Sequence, residues 1–146
     1  MTNAATECTD KLNAMLKGEL SALETYRQAL EKVRDSNVKA TLKECHMCHS
    51  GRVDTLVQKI VELGGKPAEN SGAWGAFAKM MEGGAAALGD KSAVSMLEEG
   101  EDKGLDDYKK LLCDADFEVK SVAATMLPKQ EGTHAKMSAL KKCFCN

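Results

Sequence analysis

The sequence is poor in proline and in aromatic residues. Its 146 residues include two prolines, and phenylalanine, tryptophan and tyrosine together make up 4%. Alanine, leucine, lysine, glutamate and methionine are abundant instead, and this composition favours helices over strands. No apolar run approaches the roughly 20 residues of a membrane span, and the first residues lack the basic and apolar stretches of an export signal. We therefore expect a helical protein of the cytoplasm with no membrane partner.

Charge of one sign is not in excess either. The formal net charge is −2 and the pI is about 5.9, which argues against a protein that binds nucleic acid through a basic surface. A hydrophobic fraction of 43% argues against a disordered chain. The length fits one domain with its own core, so residues 1–146 are predicted to fold as a single unit.

Four long helical patterns are separated by clear stop signals. Apolar residues recur every three or four positions over about 9–34, 38–63, 90–112 and 117–142. A weaker helix is predicted over 73–88, Pro128 is expected to kink the fourth helix, and residues 143–146 are expected to fray. Short connections predict two antiparallel hairpins, and the long segment between them can cross the bundle. This all-α organisation is typical of a ferritin-like four-helix bundle.

Acidic and imidazole side chains fall at or beside the centres of these apolar stripes. They are Glu19, His46, His49, Glu101, Glu131 and His134, with Gln130 also facing inward. At a rise of about 1.5 Å per residue, Glu19, His49, Glu101 and His134 lie within roughly two turns of one level in the bundle. A buried carboxylate needs a proton, a partner or a cation. A shared divalent metal ion is therefore predicted.

Several segments resemble the ferritin-like, rubrerythrin-type proteins. In the first helix the segment is Glu19 followed by Tyr26, and in the second it is His49 followed by an apolar stripe that ends at Gly64-Gly65-Lys66-Pro67. In the third helix it is Glu98-Glu99-Gly100-Glu101-Asp102 followed by Tyr108, and in the fourth it is Glu131-Gly132-Thr133-His134. The segment Ser71-Gly72-Ala73-Trp74-Gly75 further resembles an uncharacterised bacterial branch of that superfamily, a domain of unknown function. The resemblance implies a bundle that self-associates, with a dimer as the expected form.

The resemblance also implies a ligand set for a di-iron centre. Di-iron members use one glutamate from each of two helices and a Glu-x-x-His pair from each of the other two. Glu19, Glu101, Glu131, His134 and His49 match these positions, whereas His46 stands where the second helix should carry a glutamate. The extra imidazole favours iron(II), zinc or copper without choosing among them. The implied chemistry is oxidation of iron(II) by oxygen or peroxide, as in a ferroxidase or peroxidase.

Two further interpretations stay open. The first is a metal-free bundle whose buried acids and histidines pair with one another and which serves as a structural, stress-response or interaction module. The second concerns Cys45-x-x-Cys48-His49, because this spacing also attaches haem c covalently through two thiols, with the histidine as an axial ligand. Cys45 and Cys48 could instead join Cys143 and Cys145 in a soft-metal or thiol cluster.

Overall fold

The computed structural model describes residues 2–71 and 89–144, and four helices account for most of them. The helices are α1 (Asn3–Lys32), α2 (Ser36–Glu62), α3 (Asp90–Leu111) and α4 (Phe117–Cys143). The described residues include no strand, and none of their helices is both long and apolar enough to cross a membrane. The predicted all-α class is confirmed.

Local capping explains where the helices begin and end. The first helix starts at Asn3, well before the predicted start near Thr9, because the Thr2 hydroxyl accepts a hydrogen bond from the Ala5 amide at 3.1 Å. Asp35 caps α2 in the same way, accepting from the amides of Asn37 and Val38. The predicted helix over 73–88 lies outside the described residues.

The last helix ends within one residue of its predicted end near Lys142. It continues through Pro128 to Cys143, and Phe144 caps it. The aromatic ring of Phe144 is partly buried against the apolar core, so this residue is not frayed. Cys145 and Asn146, which were also expected to fray, lie outside the described residues.

The ends of the long connection establish the crossover topology. After α2 the chain is held against the start of α1, because Asn13 donates to the Lys66 carbonyl at 2.9 Å and accepts from the Ala68 amide at 2.8 Å. The start of α3 lies at the opposite end of α1, where the Asp90 carboxylate accepts from the amides of Arg34 and Asp35, each at 2.9 Å. The two described ends of the connection therefore lie at opposite ends of the bundle, as the ferritin-like arrangement requires.

Two apolar clusters fill the bundle above and below its centre. The first holds Tyr26, Ala29, Val33, Val38, Leu42, Cys45, Ala93, Val94, Met96, Leu97 and Met137. The second holds Cys8, Leu12, Met15, Leu16, Leu56, Ile60, Tyr108, Val119, Val122, Ala123 and Met126. Buried polar side chains lie between the two clusters, and they form the candidate site.

Candidate functional site at the centre of the bundle

All four helices contribute polar side chains to the middle of the bundle. We call this group the central cluster: Glu19, Tyr26, His49, Arg52, Glu101, Tyr108, Gln130 and Thr133. Each of these residues is at most 4% exposed to solvent. Because isolated charges are costly in an apolar interior, the partners of each group decide what the cluster can do.

His49 lies between the two buried carboxylates. Its Nδ1 atom is 2.5 Å from Oε2 of Glu19, and its Nε2 atom is 2.7 Å from Oε1 of Glu101. A carboxylate oxygen accepts a hydrogen bond, so a nitrogen that faces one must carry a proton to donate. Two such contacts on opposite edges of the ring favour the imidazolium form, in which both nitrogens donate.

The charges of the three groups support this assignment. Burial by itself would lower the pKa of His49, but the adjacent Glu19 and Glu101 raise the pKa to about 9. Burial would raise the pKa of both carboxyl groups, yet their contacts with His49 hold each pKa below its usual value. Two carboxylates and one imidazolium therefore coexist near neutral pH.

Two tyrosines donate to the same carboxylates from the sides. The Tyr108 hydroxyl is 2.6 Å from Oε1 of Glu19, and the Tyr26 hydroxyl is 2.7 Å from Oε1 of Glu101. Burial raises the pKa of both phenols well above the usual value, so both stay protonated and act as donors. The two tyrosines thus stabilise the ionised form of the glutamates.

Arg52 supplies the second positive charge of the cluster, and it is not among the residues predicted from the sequence. Its side chain is fully buried, and Nη1 donates to Oε1 of Glu19 at 3.3 Å and to the amide oxygen of Gln130. Nη2 donates to the Thr133 hydroxyl at 2.8 Å and to the Lys129 carbonyl at 2.9 Å. The signal was available, because position 52 continues the inward series 45, 49, 56 and 60 on α2.

The fourth helix turns an amide and a hydroxyl towards the cluster. Gln130 donates from Nε2 to Oε2 of Glu101 at 2.9 Å, and the Thr133 hydroxyl is 2.7 Å from the same oxygen. Gln130 was predicted to face inward. Its neighbour Glu131 is exposed, and His134 is partly exposed, with Nε2 at 2.5 Å from Oδ1 of Asp102.

The structure therefore brings together three of the six predicted ligands. Glu19, His49 and Glu101 meet at the centre, while His46, Glu131 and His134 lie outside the central cluster, at partly or fully exposed positions.

The donor set of the central cluster does not fit a di-iron centre. Both nitrogens of His49 are engaged by carboxylates, so neither offers a lone pair to a metal unless its proton leaves. Glu19 and Glu101 approach opposite edges of the imidazole ring, an arrangement that suits two hydrogen bonds better than one shared ion. The guanidinium of Arg52 would also repel a cation bound at Glu19.

The surroundings of the Cys-x-x-Cys-His motif do not fit covalent haem either. Cys45 is fully buried in the first apolar cluster, and burial raises the pKa of its thiol to about 11. Cys48 is partly buried, and its sulfur accepts from Nη2 of Arg52 at 3.3 Å. A haem attached here would need access to both sulfur atoms and to a ring nitrogen of His49, and the packing leaves Cys45 and His49 engaged elsewhere.

A close approach between helices holds Gln130 in place, and it can be tested. A Cβ atom built on Gly104 would lie 2.5 Å from Nε2 of Gln130, whereas one built on Gly132 meets nothing within 4 Å. Because the Gln130 amide is committed to Glu101, Gly104→Ala should lower the free energy of unfolding by about 1–3 kcal/mol. Gly132→Ala is the matched control and should raise it by about 0.5–1 kcal/mol. Urea unfolding of both variants checks the pair, and equal stabilisation would show that Gln130 moves freely.

The raised pKa of His49 predicts how stability depends on pH. Because the folded pKa is about 9 against an unfolded value of 6.5, the ion pairs contribute fully below about pH 6.5. This contribution, about 3 kcal/mol for a shift of this size, is lost as the pH rises through about 9. Urea midpoints measured from neutral to alkaline pH should fall accordingly, whereas His49→Gln should remove most of this slope. A slope that survives in His49→Gln would assign it to other groups.

Comparisons with known proteins agree with the fold and leave the activity open. A family model described as "Domain of unknown function (DUF2383)" matches residues 7–114. No curated protein matches the sequence.

Two solved structures share the fold. One is the bacterioferritin-related protein of Bacteroides fragilis, described as a dodecameric thioferritin. Its sequence is 16% identical to this chain, the match covers 97% of this chain and 88% of that one, and the TM-score is 0.74. The other is a structure described as ferritin-like, diiron-carboxylate proteins from Bacillus anthracis. It is 18% identical in sequence, the match covers 97% of this chain and 99% of that one, and the TM-score is 0.70. The chain therefore belongs to the DUF2383 family, and it adopts the ferritin-like four-helix fold.

Proposed function

We propose that this protein is a structural subunit of ferritin-like fold whose centre is held together by its own charges and which catalyses no iron oxidation. The observation that carries the proposal is the position of His49, with each ring nitrogen against a buried carboxylate. This corresponds to the metal-free interpretation of the sequence, with a specific cause for the buried acids.

Charge balance supports the proposal. The carboxylates of Glu19 and Glu101 bring two negative charges, and His49 and Arg52 bring two positive ones. The cluster is neutral without any ion, and the remaining carboxylate lone pairs accept from tyrosine, threonine and glutamine donors. A divalent cation would have to displace the proton between His49 and a glutamate, and it would face the guanidinium at short range.

Self-association is the role that this proposal assigns to the bundle. The similar protein from Bacteroides fragilis is described as a dodecamer. A bundle whose buried charges are already paired can form such an assembly without a redox centre. We expect a homo-oligomer, with a dimer as the smallest form, and light scattering on purified protein tests this directly. A mass of one chain at all concentrations would contradict it.

The cytosol is the compartment we propose for this assembly. Among the described residues, Cys8, Cys45, Cys48, Cys113 and Cys143 form no disulfide. Thiols persist where glutathione and thioredoxin keep them reduced, and this supports the compartment predicted from the sequence.

An iron-oxidising centre is the second candidate. It is favoured by the close approach of Glu19 to His49 and by the diiron-carboxylate relative. A cavity of about 310 Å³ between α1 and α3, lined in part by Gly18, Gly100 and Gly104, reaches the cluster and would admit small molecules. On this candidate Glu19 and His49 would be ligands, and iron would be the cofactor.

Iron(II) added under oxygen separates the two candidates. The proposal predicts that the purified protein oxidises iron(II) no faster than buffer does, and that Glu19→Gln and His49→Gln leave this background unchanged. The same assay on His134→Ala shows whether the surface histidine of α4 contributes to the measured rate of iron oxidation. Turnover above background that disappears in Glu19→Gln would overturn the proposal in favour of the second candidate.

A further inference from the structure

We infer that Glu98, Asp102 and His134 form a surface site for one divalent transition-metal ion, of the class to which zinc belongs. The site lies between α3 and α4 and shares no side chain with the central cluster. It goes beyond the proposed function, because that function concerns the centre of the bundle alone.

The geometry of the three side chains carries the inference. Each offers one ligand atom, and these atoms all lie within 4.8 Å of one another, the one such group found among the described residues. Nε2 of His134 is 2.5 Å from Oδ1 of Asp102 and 3.7 Å from Oε1 of Glu98. Ligand atoms around a tetrahedral zinc ion are separated by roughly 3.4 Å, given bonds of about 2.1 Å. Small side-chain rotations would therefore create the site.

The supporting helices hold the ligands in place. Glu98 and Asp102 are four residues apart on α3, so they share one face, and His134 comes from the adjacent α4. Glu98 is the least exposed of the three carboxylate and imidazole side chains, at 12%. Lys141 binds its Oε2 at 3.1 Å, and the Ser138 hydroxyl lies 3.5 Å from Oε1. These contacts fix the carboxylate with Oε1 on the side of His134.

The chemistry of the donors selects the kind of ion. One imidazole nitrogen and two carboxylate oxygens suit zinc and related divalent ions, and Asp102 is exposed enough for water to complete the coordination. The ion would lie between His134 and Asp102, and its positive charge would add to that of Lys141 in balancing the two carboxylates. At the central cluster, by contrast, both carboxylates are buried and already paired with His49 and Arg52.

Zinc titration of the full chain tests the site. Exposed thiols are first alkylated, because cysteine sulfur also binds zinc. We expect one equivalent of Zn²⁺ to bind with micromolar affinity by calorimetry. His134→Ala and Glu98→Gln should each weaken binding by at least about tenfold. His46→Ala is the matched control, since His46 is also a partly exposed helical histidine but lies outside the group, and it should bind zinc as the unaltered chain does.

Either of two results would overturn the inference. One is the absence of zinc binding by the alkylated chain at millimolar concentration, and the other is equal binding by His134→Ala and His46→Ala. Circular dichroism melts establish that each variant is folded, and Glu98→Gln gives an answer if His134→Ala does not fold. Failure of this site leaves the proposed function intact, because iron oxidation is measured separately and depends on Glu19 and His49.

Discussion

Replacing Arg52 with methionine should lower the free energy of unfolding by about 3–5 kcal/mol, because removing one partner of a buried ion pair leaves the other charge uncompensated. Methionine keeps a long apolar chain in the space, so the effect reports the guanidinium rather than a cavity. Glu19 would lose its ion pair, and Gln130 and Thr133 would lose their contacts with Arg52. Urea unfolding at neutral pH measures the change.

Arg27 provides the matched control for this experiment. Its guanidinium also contacts two acidic side chains, Glu24 at 2.6 Å and Glu31 at 2.7 Å, but the side chain is 52% exposed. Arg27→Met should cost less than about 1 kcal/mol, as is usual for exposed ion pairs. Equal effects at the two positions would mean that Arg52 does not hold a buried charge, and the account of the central cluster would fail.

Replacing His49 with alanine should have an effect of similar size, about 3–5 kcal/mol, because two buried carboxylates lose the cation between them. Protonation of Glu19 or Glu101 would relieve part of the cost, so the loss should shrink as the pH falls. His49→Ala combined with Glu19→Gln should be less destabilised than the sum of the single variants. The measurement is a double-mutant cycle by urea unfolding on chelator-treated protein.

The control at His46 separates burial from residue type. His46 lies one turn before His49 on α2 but is partly exposed, so His46→Ala should change stability by no more than about 0.5 kcal/mol. A small effect of His49→Ala in chelator-treated protein, accompanied by loss of bound metal in untreated protein, would favour a metal centre instead.

The apolar periodicity was sufficient to place one acidic or imidazole side chain of each of three helices on its inward face, although it missed Arg52 on α2. Glu19, His49 and Glu101 lie at the centres of regular stripes on α1, α2 and α3, and all three are buried. An apolar stripe predicts the direction in which a side chain points, but it does not predict which group balances the charge of that side chain. A metal ion and a buried cation satisfy a carboxylate equally well at the level of sequence.

The burial of Arg52 was not predicted, and there is a physical reason for this. Arginine is rarely buried unless it is paired, so its position near an apolar stripe is ordinarily interpreted as exposed. Only the three-dimensional placement of Glu19, Gln130 and Thr133 around it shows that a fully buried guanidinium has partners. Its place in the inward series of α2 is the sign of burial that the sequence carries.

The fourth helix was ambiguous because apolar residues are spread around its circumference. Its buried face includes Met126, Gln130 and Met137, but neighbouring positions carry similar residues, so the phase is poorly defined by the sequence. A shift of one residue exchanges Gln130 and Thr133 for Glu131 and His134. That shift decides whether α4 offers the centre two neutral hydrogen-bonding groups or two metal ligands.

The protonation state of His49 is the most direct test of whether paired charges, rather than a metal ion, hold the central cluster together. Long-range ¹⁵N–¹H spectra, assigned by comparison with His49→Gln, report whether each ring nitrogen carries a proton. We expect both nitrogens to be protonated at neutral pH and the first proton to leave with a midpoint near a pKa of about 9. A neutral imidazole at pH 7, with one nitrogen free to bind a metal ion, would contradict it.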